Sequence, residues 1–255
     1  MFQKFHMKKR ITLFVIAGLI LAINSFALNT PYPSGEKGML ERIRERSNVF
    51  EREFQKNRVE IKKIIEQNQV EFRNLLKNKR EELKNKIEQL RERLRAQLKE
   101  RIKNEAKREI VERVYQRINE LNERMTNHYL NVLEKLEKIL ERIESRTAKA
   151  KLNNLDTIKV EAAIEEAKTA IFKAKEGLKT QAEKVYQPPE ITSETTLKTK
   201  IGLLRKQLHD DLKSVEKLVK EARETVRKSL VLLAQINKVN EIEVLENTSV
   251  PEPTS

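Results

Sequence analysis

The 255-residue chain has no cysteine and no tryptophan, and only 5 glycines and 6 prolines. Each scarcity excludes something. Without cysteine there is no disulfide framework, no thiolate metal site, no thiol nucleophile and no cysteine for lipid modification behind a leader. Soluble domains average about 7% Gly and 5% Pro, so a chain poor in both has few turns and no glycine loop to cradle phosphate. An α/β enzyme is not expected. Aromatic residues reach 5%, and none interleave with basic residues as a base-stacking surface would require.

The chemistry of a catalytic site is equally sparse. His6, His128 and His209 are the only imidazoles, and neither H-E-x-x-H nor G-x-S-x-G occurs. In "LHDDL", His209, Asp210 and Asp211 are sequence neighbours, which splay apart on a helix instead of converging on a metal, so they read as a surface cluster. His128, beside Tyr129, reads as a helix-flank residue. Carboxylates are plentiful, but no pair stands out as acid and base. The expectation is a protein that is not an enzyme and uses no cofactor or metal.

What is present in quantity is charge, at 36% of residues, with 38% hydrophobic residues. That hydrophobic content suits narrow helix–helix seams better than a thick core around a pocket. The one strongly apolar run is "KKRITLFVIAGLILAINSFALNTPYP". Lys8, Lys9 and Arg10 precede an apolar core at 11–23, and Ser25 and Ala27 place small residues for a cut after Ala27, the layout of a secretory signal. A spanning helix needs about 17–25 mostly apolar residues, and residues 11–28 reach that length only by including Asn24 and Ser25. Residues 1–27 are therefore a signal peptide or an uncleaved anchor, with either Met1 or Met7 as the start. In both cases the chain beyond residue 28 is exported, to the periplasm, cell surface or medium. Residues 28–38, with Pro31, Pro33, Gly35 and Gly38, read as an extended spacer.

From Met39 to Glu176 there is no Gly or Pro in 138 residues, so nothing strongly punctuates a helix. Leu83, Ile87, Leu90, Leu94, Leu98, Ile102, Ala106, Ile110, Val114 and Ile118 form an apolar series. Its four-residue steps advance about 40° beyond a full turn each time, so the stripe winds around a helix. Residues 39–125 read as a long basic helical arm, either straight or folded back. Later the spacing alternates between four and three. One set is Tyr129, Leu133, Leu136, Leu140, Ile143, Thr147 and Ala150. A second is Val160, Ile164, Ala167, Ile171, Ala174, Leu178 and Val185, and a third runs from Leu197 through Ile201, Leu204, Leu208, Val215, Val219, Ala222, Val226 and Leu233 to Ile236. These are heptad seams. "LNNLDT" at 152–157 and "YQPPE" at 186–190 separate them, and Ser193 is a suitable N-cap.

The predicted fold is all-α: a long N-terminal helix or helices, then an antiparallel three-helix, coiled-coil-like bundle at 126–239, with helices near 126–151, 157–186 and 194–239. A flexible tail covers 240–255, where Pro251 and Pro253 oppose helix.

Residues 36–127 carry 26 basic and 18 acidic side chains, a net charge of +8. The cations of "KNKREELKNK" and "RERLRAQLKERIKNEAKR" are candidate contacts for an anionic partner: Lys77, Lys79, Arg80, Lys84, Lys86, Arg91, Arg93, Arg95, Lys99, Arg101, Lys103, Lys107 and Arg108. Outside the membrane that partner would be an envelope polymer or lipid headgroup, not nucleic acid. The competing reading is a solvated face, with pairs such as Glu82 with Lys86 and Glu109 with Arg113.

Three stretches, "LEKLEKILERIESRTAKA", "VEAAIEEAKTAI" and "LRKQLHDDLKSVEKLVKEARETV", together with the leader, resemble uncharacterised exported coiled-coil proteins of small-genome bacteria, across about residues 125–239. The resemblance implies an exported helical protein and transfers no functional residue. The L-T-x-x-Q motif of Spy-type periplasmic chaperones is absent. The functional expectation is a structural or protein-interaction protein of the cell envelope that associates through helical seams. The alternatives are a binder of anionic polymers or membrane surfaces and a chaperone-like envelope protein.

Overall fold

The structure, a computed structural model, describes residues 36–236, with side chains described at 45 and 49 and from 52 onward. The leader or anchor at 1–27, with Ser25 and Ala27, most of the spacer, residues 237–239 of the expected last helix and the tail at 240–255 lie outside the described residues. Four α-helices account for nearly all of the described chain: α1 (Glu36–Arg101), α2 (Glu105–Leu152), α3 (Ile158–Ala182) and α4 (Glu194–Ala234). The protein is all-α, with no strand among the described residues. Among those residues no helix is long and apolar enough to cross a membrane.

The chain divides into two compact units, residues 1–57 and 58–255. In the first, α1 is the only element among the described residues, with Glu45, Val49, Arg52 and Glu53 exposed. The second contains α1 from Arg58 onward together with α2, α3 and α4.

Several boundaries differ from those expected, among them the end of α4 at Ala234 where 239 was expected. Helix α1 starts at Glu36, inside the expected spacer, and ends at Arg101, so the Gly- and Pro-free run is not one helix. The break at 102–104 falls within the expected arm, and residues 125 and 126, where arm and bundle were expected to meet, lie in the middle of α2. Asn104 begins α2: its backbone is extended (φ −75°, ψ 112°) and its side-chain oxygen accepts from the Lys107 amide at 3.1 Å. This satisfies one of the amides that a helix start leaves unpaired. The break also explains where the winding stripe goes. Leu90, Leu94, Leu98 and Ile102 are buried, but Ala106 and Ile110 are exposed, and Val111, Tyr115 and Ile118 take over the core face.

The other ends have clear local causes. At the end of α2, Asn154 adopts a left-handed φ of 58°, which Asn tolerates better than most residues, and the Leu155 amide donates back to the Ala150 carbonyl at 3.1 Å. Asp156 then accepts from the Ile158 amide at 3.1 Å as α3 begins. Helix α3 stops at Ala182, short of the expected 186, because Tyr186 leaves the helical path and buries its ring ahead of Pro188 and Pro189. Ser193 occupies the N-cap position of α4 in extended conformation, but it makes no side-chain cap bond. Its hydroxyl instead meets that of Thr195 at 2.9 Å.

Cross-helix pairs give the helix directions within the second unit. Gln69 and Arg73 reach Glu134, Arg80 reaches Thr126 and Asn127, and Arg91 reaches Glu112. Numbers rise on α1 as they fall on α2, so the two helices form an antiparallel hairpin. The pairs Lys175 with Glu137 and Lys168 with Glu144 show the same reversal from α2 to α3, and Lys228 with Glu166 links α4 to α3.

One apolar cluster runs through all four helices, from Leu76, Leu94 and Leu98 on α1 to Leu133, Ile143, Leu178 and Leu208 on the others. Every residue of the three heptad series is buried except Val185 and Ile236, which are half-buried. Burying each large aliphatic side chain contributes about 1.5–3 kcal/mol. An exposed ion pair contributes about 0–1 kcal/mol, so the seam dominates. On α3 the seam is lined by Ala163, Ala167, Ala170 and Ala174. Close approach continues to Gly177, where a Cβ would stand 2.5 Å from Leu218 Cδ1.

Candidate functional site

The structure sorts the thirteen candidate cations into bonded and free. Lys79 pairs with Glu82 at 2.7 Å, so Glu82 turns to Lys79 and not to Lys86. Glu109 and Arg113 are 4.0 Å apart. Arg80, half-buried, donates to Asn127 Oδ1 at 2.6 Å and Thr126 Oγ1 at 2.7 Å. Burial pushes its guanidinium pKa down, and Glu123 at 4.0 Å opposes this. Arg91 and Arg95 share Glu112, Arg91 at 3.0 Å. The bond from Arg95 is the main reason the Glu112 carboxyl sits below its ordinary value. Arg101 pairs with Glu100 at 3.2 Å, Lys107 with Glu194 of α4, and Arg108 with Glu105 at 4.0 Å. Of these seven cations, Arg80, Arg91, Arg95 and Lys107 reach another helix, and Lys79, Arg101 and Arg108 pair within their own.

Lys77, Lys84, Lys86, Arg93, Lys99 and Lys103 remain exposed and make no ion pair among the described residues. They do not share one face. At 100° per residue, Lys77 and Lys84 lie about 80–100° to one side of the buried Leu76–Leu94 stripe, and Lys86 and Arg93 lie about as far to the other. A flat anionic surface can meet one row or the other.

A second constellation, which sequence reasoning did not single out, is a buried polar cluster at the end of α3. Gln181 Nε2 donates to Asn122 Oδ1 at 2.7 Å and to the Tyr186 hydroxyl at 2.8 Å. Tyr186 donates in turn to Asp211 Oδ2 at 3.0 Å, whose other oxygen pairs with Lys184 at 2.6 Å. Tyr115, from α2, donates to the Tyr186 carbonyl at 2.9 Å. Burial pushes the phenols of both Tyr115 and Tyr186 above their ordinary pKa, that of Tyr186 by far the more. The only advance signal for this site was the position of Tyr186 just before two prolines. "LHDDL" divides accordingly. Asp210 is exposed and paired with Lys206, His209 is exposed, and Asp211 joins the cluster.

A charged row forms where α1, α2 and α3 meet. Arg73 Nη2 lies 2.6 Å from Glu134, and Gln69 donates to Glu137 at 2.9 Å. Glu137 also takes Lys175, whose ammonium lies 5.2 Å from the Phe72 ring centre. Lys168 meets Glu144 at 2.5 Å, and burial is what raises the Glu144 carboxyl pKa. His128 stands outside these groups, exposed, with its ring 5.8 Å from that of Tyr129.

These groups bond to one another. Among the described residues the single buried side-chain polar atom without a hydrogen-bond partner is Gln97 Oε1. None of the described residues form a group of three or more His, Asp or Glu suited to hold a metal. The arrangement fixes helices and the 183–193 connection. Comparison with protein-family models, curated proteins and solved structures returned no match.

Proposed function

We propose that the protein is a non-enzymatic, exported structural or protein-interaction protein of the bacterial cell envelope. In this reading α2, α3 and α4 form an antiparallel three-helix, coiled-coil-like bundle, with the α1 segment from residue 58 lying along it. One observation supports the reading above others: most of the largest buried side chains, among them Tyr115, Leu94, Leu98, Leu133, Ile143 and Leu178, belong to helix seams. The test is fractionation of native cells followed by crosslinking and recovery of the protein. Recovery from the envelope or medium, linked to a protein partner or to itself, supports the proposal, and a cytoplasmic location sinks it.

A second reading, in which α1 binds anionic polymers or lipid headgroups, is favoured by the six exposed cations with no acidic partner. Because four of them form two rows, Lys77→Glu with Lys84→Glu and Lys86→Glu with Arg93→Glu are expected to weaken vesicle binding unequally. Absence of binding to anionic vesicles at low salt, where such attraction is strongest, removes this reading.

A further inference from the structure

Two of the three connections between helices are written into the local sequence. Asn154 takes a left-handed backbone between α2 and α3, and Pro188 and Pro189 stand between α3 and α4. The third, Ile102, Lys103 and Asn104, has no such mark. It contains no Gly or Pro, and none of its residues has a positive φ. The Ile102 amide still donates to the Leu98 carbonyl at 2.9 Å, and the Arg108 amide donates to the Asn104 carbonyl at 3.2 Å. Helical bonding therefore lapses and resumes within a few residues. Nothing in the side chains of 102–104 forbids helix. The break has a local cap at Asn104 and a weak bond from Arg108 Nη1 to the Ile102 carbonyl at 3.5 Å. Its larger benefit is to let Leu76, Leu90, Leu94 and Leu98 join the common apolar cluster while Gln69, Arg73, Arg80 and Arg91 bond to α2, and a second copy presents the same surface.

We infer that the partner this chain fits is a second copy of itself, with α1 exchanged. In that dimer residues 102–104 become helical, α1 and α2 run on as one helix, and each α1 docks on the other copy's α2. The exchange is two-fold symmetric. Gln69 with Glu137, Arg73 with Glu134, Arg80 with Asn127 and Arg91 with Glu112 re-form between copies in equal number, so the hinge and the chain concentration set the balance. Such an exchange is a physical route to self-association that is independent of export.

With no native cysteine, Gln69→Cys in one chain and Glu137→Cys in another are the only thiols in a mixture. Co-refolding the two chains and adding a short bis-maleimide is expected to link 69 of one chain to 137 of the other. Arg91→Cys with Glu112→Cys provides a second pair should the first disturb folding. In sedimentation, Asn104→Ala, which removes one cap from each of the two monomers and none from the continuous helices of the dimer, is expected to raise the association constant about 30-fold. Glu105→Pro is expected to give monomer of unchanged helicity. Proline fits the first position of α2 after an extended residue, but not the interior of a continuous helix. An Asn104→Ala protein that stays monomeric, or a dimer without links between chains at either pair, overturns the inference.

Discussion

Replacing Tyr186 by Phe keeps the ring in its buried site and removes the hydroxyl that joins Gln181 to Asp211. A buried donor is then left without its acceptor, so a loss of about 1–3 kcal/mol is expected in urea unfolding, with the slope unchanged. The same residue predicts a pH dependence. The phenols of Tyr115 and Tyr186 have folded pKa values above the unfolded value of 10.0. Their contribution is fully present below that value. As pH rises past it, the unfolded chain releases protons that the folded chain still holds, and stability falls. Urea midpoints are expected to decline above about pH 10, and less steeply in Tyr186→Phe, which has one such phenol fewer. The residue scale was also the least legible in the sequence. Asn122, Gln181 and Asp211 are ordinary helix-surface types, and only the ending of α3 at Ala182 brings Tyr186 among them.

At the scale of elements, the seam and the ion pairs of the α1–α2 hairpin are expected to differ in weight. Leu94 is fully buried, so Leu94→Ala should cost about 2–5 kcal/mol. Glu112→Gln, which weakens the partly exposed pairs to Arg91 and Arg95, should cost under about 1 kcal/mol. Urea unfolding of both variants checks the order, and equal losses would contradict the seam account. On α3, Ala174→Leu adds three carbons at a site with 0% exposure and should cost about 1–3 kcal/mol by overpacking, read as a lower melting temperature. The all-α class and these stripes were legible because a period near 3.5 survives in sequence wherever one helix face is buried. The break at 102–104 was not. It depends on α1 finding α2, residues 91 and 112 for instance, and Asn104 is an acceptable helix residue until packing makes it a cap.

At the scale of the second unit as a whole, burial along α1 is graded. No residue from 58 to 68 is buried, whereas Gln69, Leu76, Leu90, Leu94 and Leu98 are. Arg58 meets Glu141 only at 3.9 Å. Local opening follows the density of buried contacts. Within the α1 segment of this unit, amide hydrogen exchange is therefore expected to be fastest at 58–68 and slowest at 76–98, with uniform protection along the segment as the contrary result. The charge of the chain did not predict this gradient. Basic residues are spread along α1, and seven of the thirteen candidate cations are bound to acids or polar groups.

The hairpin also sets an order in time. A ribosome delivers α1 before α2, so Leu76, Leu90, Leu94 and Leu98 meet water with no surface to cover them until residues beyond 112 have been made. For that interval the nascent chain presents a sticky helix, the kind of transient surface on which chaperones act. Slowing synthesis after residue 104 would prolong the exposure, and a second chain emerging nearby on the same message could supply the missing surface first.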